Sequence, residues 1–124
     1  MTGSAAGGYT VAVRESLVGP VVVVTGELDQ DSAPDLHTAI GRALSLRPVP
    51  PVLVVDLAAV TFCDSSGLNA LVQGRIEAER QSTVVHLARP AAAVTRLLEI
   101  TGADRIFRID TDVPARMPHT RDDD

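Results

Sequence analysis

Val52-Leu-Val-Val-Asp-Leu-Ala-Ala-Val-Thr-Phe-Cys-Asp-Ser-Ser-Gly-Leu-Asn-Ala-Leu71 is the stretch on which the fold turns. Val52 to Leu57 is apolar on both faces of an extended chain, as a strand buried in the middle of a sheet would be. The apolar run ends at Asp64-Ser65-Ser66-Gly67, and Leu68, Leu71, Val72 and Ile76 then recur at helical spacing. Arg75, Glu77, Glu79 and Arg80 fall largely off that stripe. The reading is a strand, a sharp polar turn and a helix, with two hydroxyls and a carboxylate at the helix N-terminus. Free amides and the macrodipole favour negative charge at such a terminus, so a phosphate there is electrostatically tolerated.

Working outward, the same grammar repeats. Tyr9 to Glu15 alternates as a half-buried strand, Gly19-Pro20 marks a turn, and Val21 to Thr25 is β-branched throughout. Gly26-Glu27-Leu28-Asp29 breaks that strand, and Asp31 or Ser32 can cap a helix with apolar positions Leu36, Ala39, Ile40, Ala43 and Leu44. Arg47-Pro-Val-Pro-Pro51 ends it. Thr83 to Ala88 reads as a fourth strand, and Pro90 as a first-turn proline. Val94, Leu97 and Leu98 mark a third helix closed by Gly102, and Ile106 to Ile109 a short edge strand. Strands alternating with helices predict an α/β domain with right-handed crossovers. The expected architecture is a mixed four- to five-stranded sheet, its first two strands antiparallel and its helices mainly on one face. Residues 1–8 are expected to be a flexible lead, 9–109 the domain, and 110–124 a disordered acidic tail.

Composition narrows the function. A chain of 124 residues with 45% hydrophobic and 22% charged content suits one globular core, built here from aliphatic side chains because aromatics are 2%. Net charge is −5 and every basic residue is an arginine scattered among acids, which argues against a nucleic-acid surface. No apolar run is long enough for a bilayer, and Met1 to Gly8 has no signal-peptide pattern, so cytoplasmic residence is the expectation. The single Cys63 excludes an internal disulfide and a paired-cysteine metal motif, and it reads as a small core residue.

Two polar loops follow strands expected to be neighbours, so Glu27, Asp29, Asp64, Ser65 and Ser66 are expected on one edge of the domain. Four readings compete for the Asp64 turn. Helix capping by Asp64 or Ser65 explains the residue types alone, worth about 1 kcal/mol. A catalytic serine needs a base, yet His86 lies in a strand, His37 on the first helix and His119 in the tail, and the hydrolase elbow motif is absent. Nucleotide binding lacks a phosphate loop. A serine modified by a partner needs only exposure, which leaves Ser65 and Ser66 both open. Asp29 is open between capping the first helix and touching a partner. Gly67 is expected to keep the turn or a docking surface uncrowded, and the stripe from Leu68 to Ile76 is expected to be core.

Val54-Val-Asp-Leu and Val60-Thr-Phe-Cys-Asp-Ser-Ser-Gly-Leu together resemble the signature of STAS domains, in particular bacterial anti-sigma factor antagonists. Gly26-Glu-Leu-Asp29 with Ser32-Ala-Pro34, Thr83-Val-Val-His-Leu-Ala88 with its following proline, and Leu98 to Phe107 resemble further segments of that family. The resemblance implies a partner switch without enzymatic activity, cofactor or metal. The unmodified protein would bind an anti-sigma factor that is also a serine kinase, releasing a sigma factor. Phosphorylation of Ser65, the serine directly after the aspartate, would end binding, and a serine phosphatase would restore it. In that scheme Asp64, Ser66 and Gly67 form the switch loop, with Ser66 orienting or capping, and Glu27 and Asp29 face the partner. A monomer or weak dimer is expected, without nucleic acid or membrane. A scaffold role for a STAS module in another signalling assembly is the alternative. Ala103, where many relatives carry leucine, and His86, where a smaller or apolar residue is common, depart from the pattern and bear on partner identity.

Overall fold

The computed structural model describes residues 2–5 and 8–113. In chain order the elements are β1 (Thr2–Ala5), β2 (Tyr9–Ser16), β3 (Gly19–Leu28), α1 (Ala33–Leu44), β4 (Val52–Cys63), α2 (Ser65–Glu79), β5 (Val84–Ala88), α3 (Ala92–Thr101), a 3₁₀ turn (Ala103–Arg105) and β6 (Arg108–Asp110). All six strands form one sheet in the order β1-β2-β3-β4-β5-β6. β2 is antiparallel to both of its neighbours, β1 and β3, and β3, β4, β5 and β6 run parallel. This is the mixed α/β sheet expected from the pattern, with β4 inside it.

One face of the sheet carries all three helices. Val22, Val24, Leu53, Val55, Leu57, Val85 and Leu87 meet Leu36, Ile40, Leu44, Leu71, Val94 and Leu98 in a single core. The apolar positions anticipated for α1 are the ones buried. Tyr9 ties β2 to this layer, its hydroxyl donating to Asp35 Oδ2 at 2.7 Å. The other face holds a smaller cluster of Val18, Val21, Val52, Val54 and Ala88, with Val23 and Val113 packed against it and no helical residue in it. Asp56 on that face is buried and ion-paired with Arg89 at 2.6 Å. His86 is buried there too, its Nδ1 2.8 Å from Asp110 Oδ2.

Several boundaries differ from the sequence reading. Thr2–Ala5, within the expected flexible lead, pairs with Tyr9–Ala12 as an added edge strand, making six strands rather than four or five. An unpaired strand edge offers main-chain donors and acceptors to any extended segment nearby, with little demand on side chains. Asp110, placed in the tail by the sequence reading, completes β6, because its carbonyl accepts from Arg89 N and its carboxylate holds His86. Residues 114–124 of the expected disordered tail lie outside the described residues. Strand β3 continues through Gly26 to Leu28, and β4 runs on to Cys63, because the two keep pairing past two register irregularities. Ala58, Ala59, Thr61 and Phe62 are exposed, so no burial pattern advertised that extension. Pro90 precedes α3 instead of sitting in its first turn; Ala91 is the N-cap. Gly102 does end that helix, at φ 79°.

The stripe expected for α2 is also displaced. Gly67, Ala70, Leu71, Gly74 and Ala78 are the buried positions, while Leu68 and Val72 pack at the margin of the core. Small residues let α2 lie close to the sheet and to α1 at once, so their faces carry little side chain for a hydrophobic pattern to register. A Cβ at Gly67 would collide with the Leu28 carbonyl and come within 2.7 Å of Leu28 Cγ, whereas one at Gly74 would meet only the tip of Ile40 at 2.6 Å. Gly67→Ala is therefore expected to cost about 1–3 kcal/mol in urea denaturation, because a paired backbone carbonyl cannot move aside. Gly74→Ala is expected to stay within about 1 kcal/mol of the parent, since Ile40 can shift and alanine favours the helix.

Candidate functional site

The turn between β4 and α2 is built by three main-chain constraints. Leu28 and Cys63 pair as the last rung of the β3–β4 ladder, and Asp64 N donates to Leu28 O at 3.2 Å. Asp64 is extended (φ −114°, ψ −172°) and is the N-cap of α2. Its Oδ1 accepts from Ser66 N at 2.9 Å and Gly67 N at 3.1 Å. Of the caps expected from sequence, Asp64 and not Ser65 or Ser66 performs the role. An aspartate oxygen reaches the second and third amides of the helix from an extended residue, which a serine already inside the helix cannot do. Ser65 is the first helical residue and is exposed; its hydroxyl makes no hydrogen bond among the described residues.

The neighbouring loop is brought alongside by the parallel register. Glu27 is exposed and sits opposite Phe62 on β4. Asp29 turns the chain towards α1, its Oδ1 accepting from Asp31 N at 3.0 Å and Ser32 N at 3.3 Å. Ser32 is fully buried and locks the turn: its hydroxyl donates to Glu27 O at 2.7 Å and accepts from Asp29 N at 2.9 Å. It precedes α1 without capping it by its side chain. Glu27, Asp29, Asp64 and Ser65 thus share one end of the β3–β4 pair, as the sequence suggested. Asp29 and Asp64 both spend an oxygen on local amides.

Ser66 faces elsewhere. Together with Gln30, His37, Asn69 and Gln73 it lines an open groove of about 360 Å³ between α1 and α2. The sequence placed His37 on the first helix without bringing it near the turn; helix packing puts it in the groove with Ser66, yet no hydrogen bond joins it to either serine among the described residues. His86 is engaged with Asp110 on the helix-free face. Neither histidine is set as a base for Ser65. Phe62, half-exposed beside Glu27, is the residue that sequence reasoning passed over. The available signal was its rarity, since the chain has two phenylalanines. Among the described residues there is no cluster of metal-binding side chains, and no helix is long and apolar enough to cross a membrane.

Burial beside the turn pushes the Cys63 thiol up to about 11, with a smaller contribution from the Asp64 charge. Both penalise the thiolate. Alkylation of Cys63 by iodoacetamide is therefore expected to be slow at neutral pH and to accelerate only as pH approaches that value. Asp64→Ala removes two bonds to helix amides and is expected to cost about 0.5–2 kcal/mol in chemical denaturation. Asp64→Asn keeps an acceptor and should recover most of that loss.

Comparison with known proteins follows the same outline. A STAS-domain family model, described as "Mlab, STAS domain", matches residues 11–109. Anti-sigma-F factor antagonist RsfB of Mycobacterium tuberculosis is 32% identical over 106 residues, covering 86% of this chain and 84% of that protein. The crystal structure of an anti-sigma factor antagonist from Mycobacterium paratuberculosis superimposes with a TM-score of 0.76 at 32% identity, covering 89% of this chain and 92% of that one. The anti-sigma factor antagonist SpoIIAA in its unphosphorylated form shares the fold, with a TM-score of 0.63 at 16% identity over 84% of this chain and 89% of its own. With a family match running from β2 to β6, the chain belongs to the STAS domain family.

Proposed function

We propose that this protein is an anti-sigma factor antagonist working by partner switching. With Ser65 unmodified it binds an anti-sigma factor of the serine-kinase type and so frees a sigma factor for transcription. Phosphorylation of Ser65 by that partner ends the interaction, and a serine phosphatase restores it. The observation that carries the reading is the state of the two groups at the turn: Asp64 is consumed in capping α2, while the Ser65 hydroxyl beside it is exposed and makes no hydrogen bond among the described residues. The 32% identity to RsfB supports the choice of partner class.

Charge explains how such a switch operates without refolding. Asp64 already occupies the Ser66 and Gly67 amides, so a phosphate on Ser65 cannot be absorbed into that cap. It adds nearly two negative charges at an exposed position, next to Asp64 and on the same end of the sheet as Glu27 and Asp29. A partner surface fitted to a hydroxyl then meets a bulky dianion among carboxylates. The helix dipole still tolerates that charge, which keeps the domain folded. Exposed Phe62 opposite Glu27 supplies an apolar contact of the kind that anchors protein interfaces. The turn is a substrate site for another enzyme, not an active site, and it works in the cytoplasm, where the transcription machinery is.

Capture of the cognate kinase-type anti-sigma factor by wild type, Ser65→Ala and Ser65→Asp tests the switch. Wild type and the alanine variant are expected to bind alike, and the aspartate variant to lose about tenfold or more in affinity. Equal binding by all three would remove Ser65 from the mechanism. Incubation with that kinase and ATP should place phosphate on Ser65 and leave Ser66 unmodified by mass spectrometry.

A further inference from the structure

The outer edge of β6 has a pattern that the partner switch does not use. Among the described residues β6 pairs only with β5, in the register His86–Arg108, Leu87–Ile109 and Ala88–Asp110. Arg89 N donates to Asp110 O at 2.7 Å, so the main-chain groups of Asp110 point inward to β5. By the alternation of a strand, those of Ile109 point outward, away from the sheet. Arg108 and Asp110 share the helix-free face with His86, and Ile109 projects to the helix side with Leu87. Arg108 is exposed and has no ion pair among the described residues. Ile109 is 42% exposed, and Ile100 (74%) and Ile106 (42%) add exposed apolar surface to the same C-terminal segment.

The geometry points to this edge as a homodimer contact, in which β6 pairs antiparallel with β6 of a second copy about a two-fold axis at Ile109. In that arrangement the two Ile109 residues exchange both outward N–H···O=C bonds, the closely bonded type of antiparallel pair. Arg108 of each copy then lies directly opposite Asp110 of the other, and opposite charges at such positions attract. The sequence Arg-Ile-Asp is thus self-complementary across a two-fold axis. A parallel pairing would set Arg108 against Arg108. Pairing of β6 with β1 of another copy would be head-to-tail, giving a ring or a filament instead of a two-fold dimer. With three residues on each side, the contact falls below the roughly 800 Å² per partner of a standard stable interface. The dimer is therefore weak and concentration-dependent. Through β5, β6 is aligned with Val54 to Asp56 of β4, short of Cys63, so the Ser65 turn stays outside the contact.

Sedimentation velocity of the full chain from about 10 µM to about 1 mM tests this. Wild type is expected to pass from monomer to a discrete dimer as concentration rises. Arg108→Asp replaces two attractions by two repulsions and should raise the dissociation constant about tenfold or more. Ile109→Pro removes an amide that β5 does not use, so the fold is expected to persist by circular dichroism while the dimer is lost. Should the proline variant unfold, Arg108→Asp decides alone. A monomer throughout, growth beyond dimer, or a dimer indifferent to Arg108→Asp would overturn the proposal.

Discussion

The site rests on one close contact: the first turn of α2 lies directly on the end of β3, with Gly67 against the Leu28 carbonyl. That carbonyl also accepts from Asp64 N, one residue after Leu28 and Cys63 close the parallel ladder. A side chain at position 67 would press on that carbonyl and strain the close approach of helix to strand. Because it is glycine, the chain leaving β4 is held beside the chain leaving β3. The turn from Asp64 to Ser66 takes its position at the end of β3 from that approach, while Ser32 holds the turn from Glu27 to Asp29.

The contact also sorts the chemistry of neighbouring polar groups. Asp64, held extended at the end of the strand, faces the open amides of α2 and is drawn into capping them. Ser65, one residue on, is already helical and exposed, with no hydrogen-bond partner among the described residues. Asp29 and Ser32 are similarly tied up in the turn leading to α1. A site whose carboxylates stabilise structure and whose hydroxyl is left over suits modification by another protein better than catalysis. In the proposed switch, the same economy lets added charge at Ser65 alter recognition while the Asp64 cap keeps the helix in place.

The two faces of the sheet divide the remaining work. Helices bury one side in aliphatic contacts, and the other relies on a small valine cluster with the Asp56–Arg89 and His86–Asp110 pairs. These pairs draw the chain after β5 and β6 onto the helix-free face, which is how Asp110 became part of a strand instead of a tail. They also leave the outward side of β6 as a main-chain edge with alternating charge.

Sequence by itself determined the order of strands and helices from β2 onward, the centrality of Val52 to Leu57, the buried face of α1, the Gly102 stop and the polar turn at Asp64. Each depends on interactions within a few residues or on the period of one element, which a linear pattern records. The choice of Ser65 came from family resemblance, because capping and exposure leave both serines open when read from the chain alone. Only the tertiary structure decided that Asp64 is the cap, that Ser66 turns into a groove with His37, and that Phe62 stands exposed beside Glu27. It also shifted the buried stripe of α2 to Gly67, Ala70, Leu71, Gly74 and Ala78. The physical reason is common to all of these. Close packing of small residues and main-chain pairing between distant segments carry little hydrophobic signal, so they are written in the approach of one backbone to another.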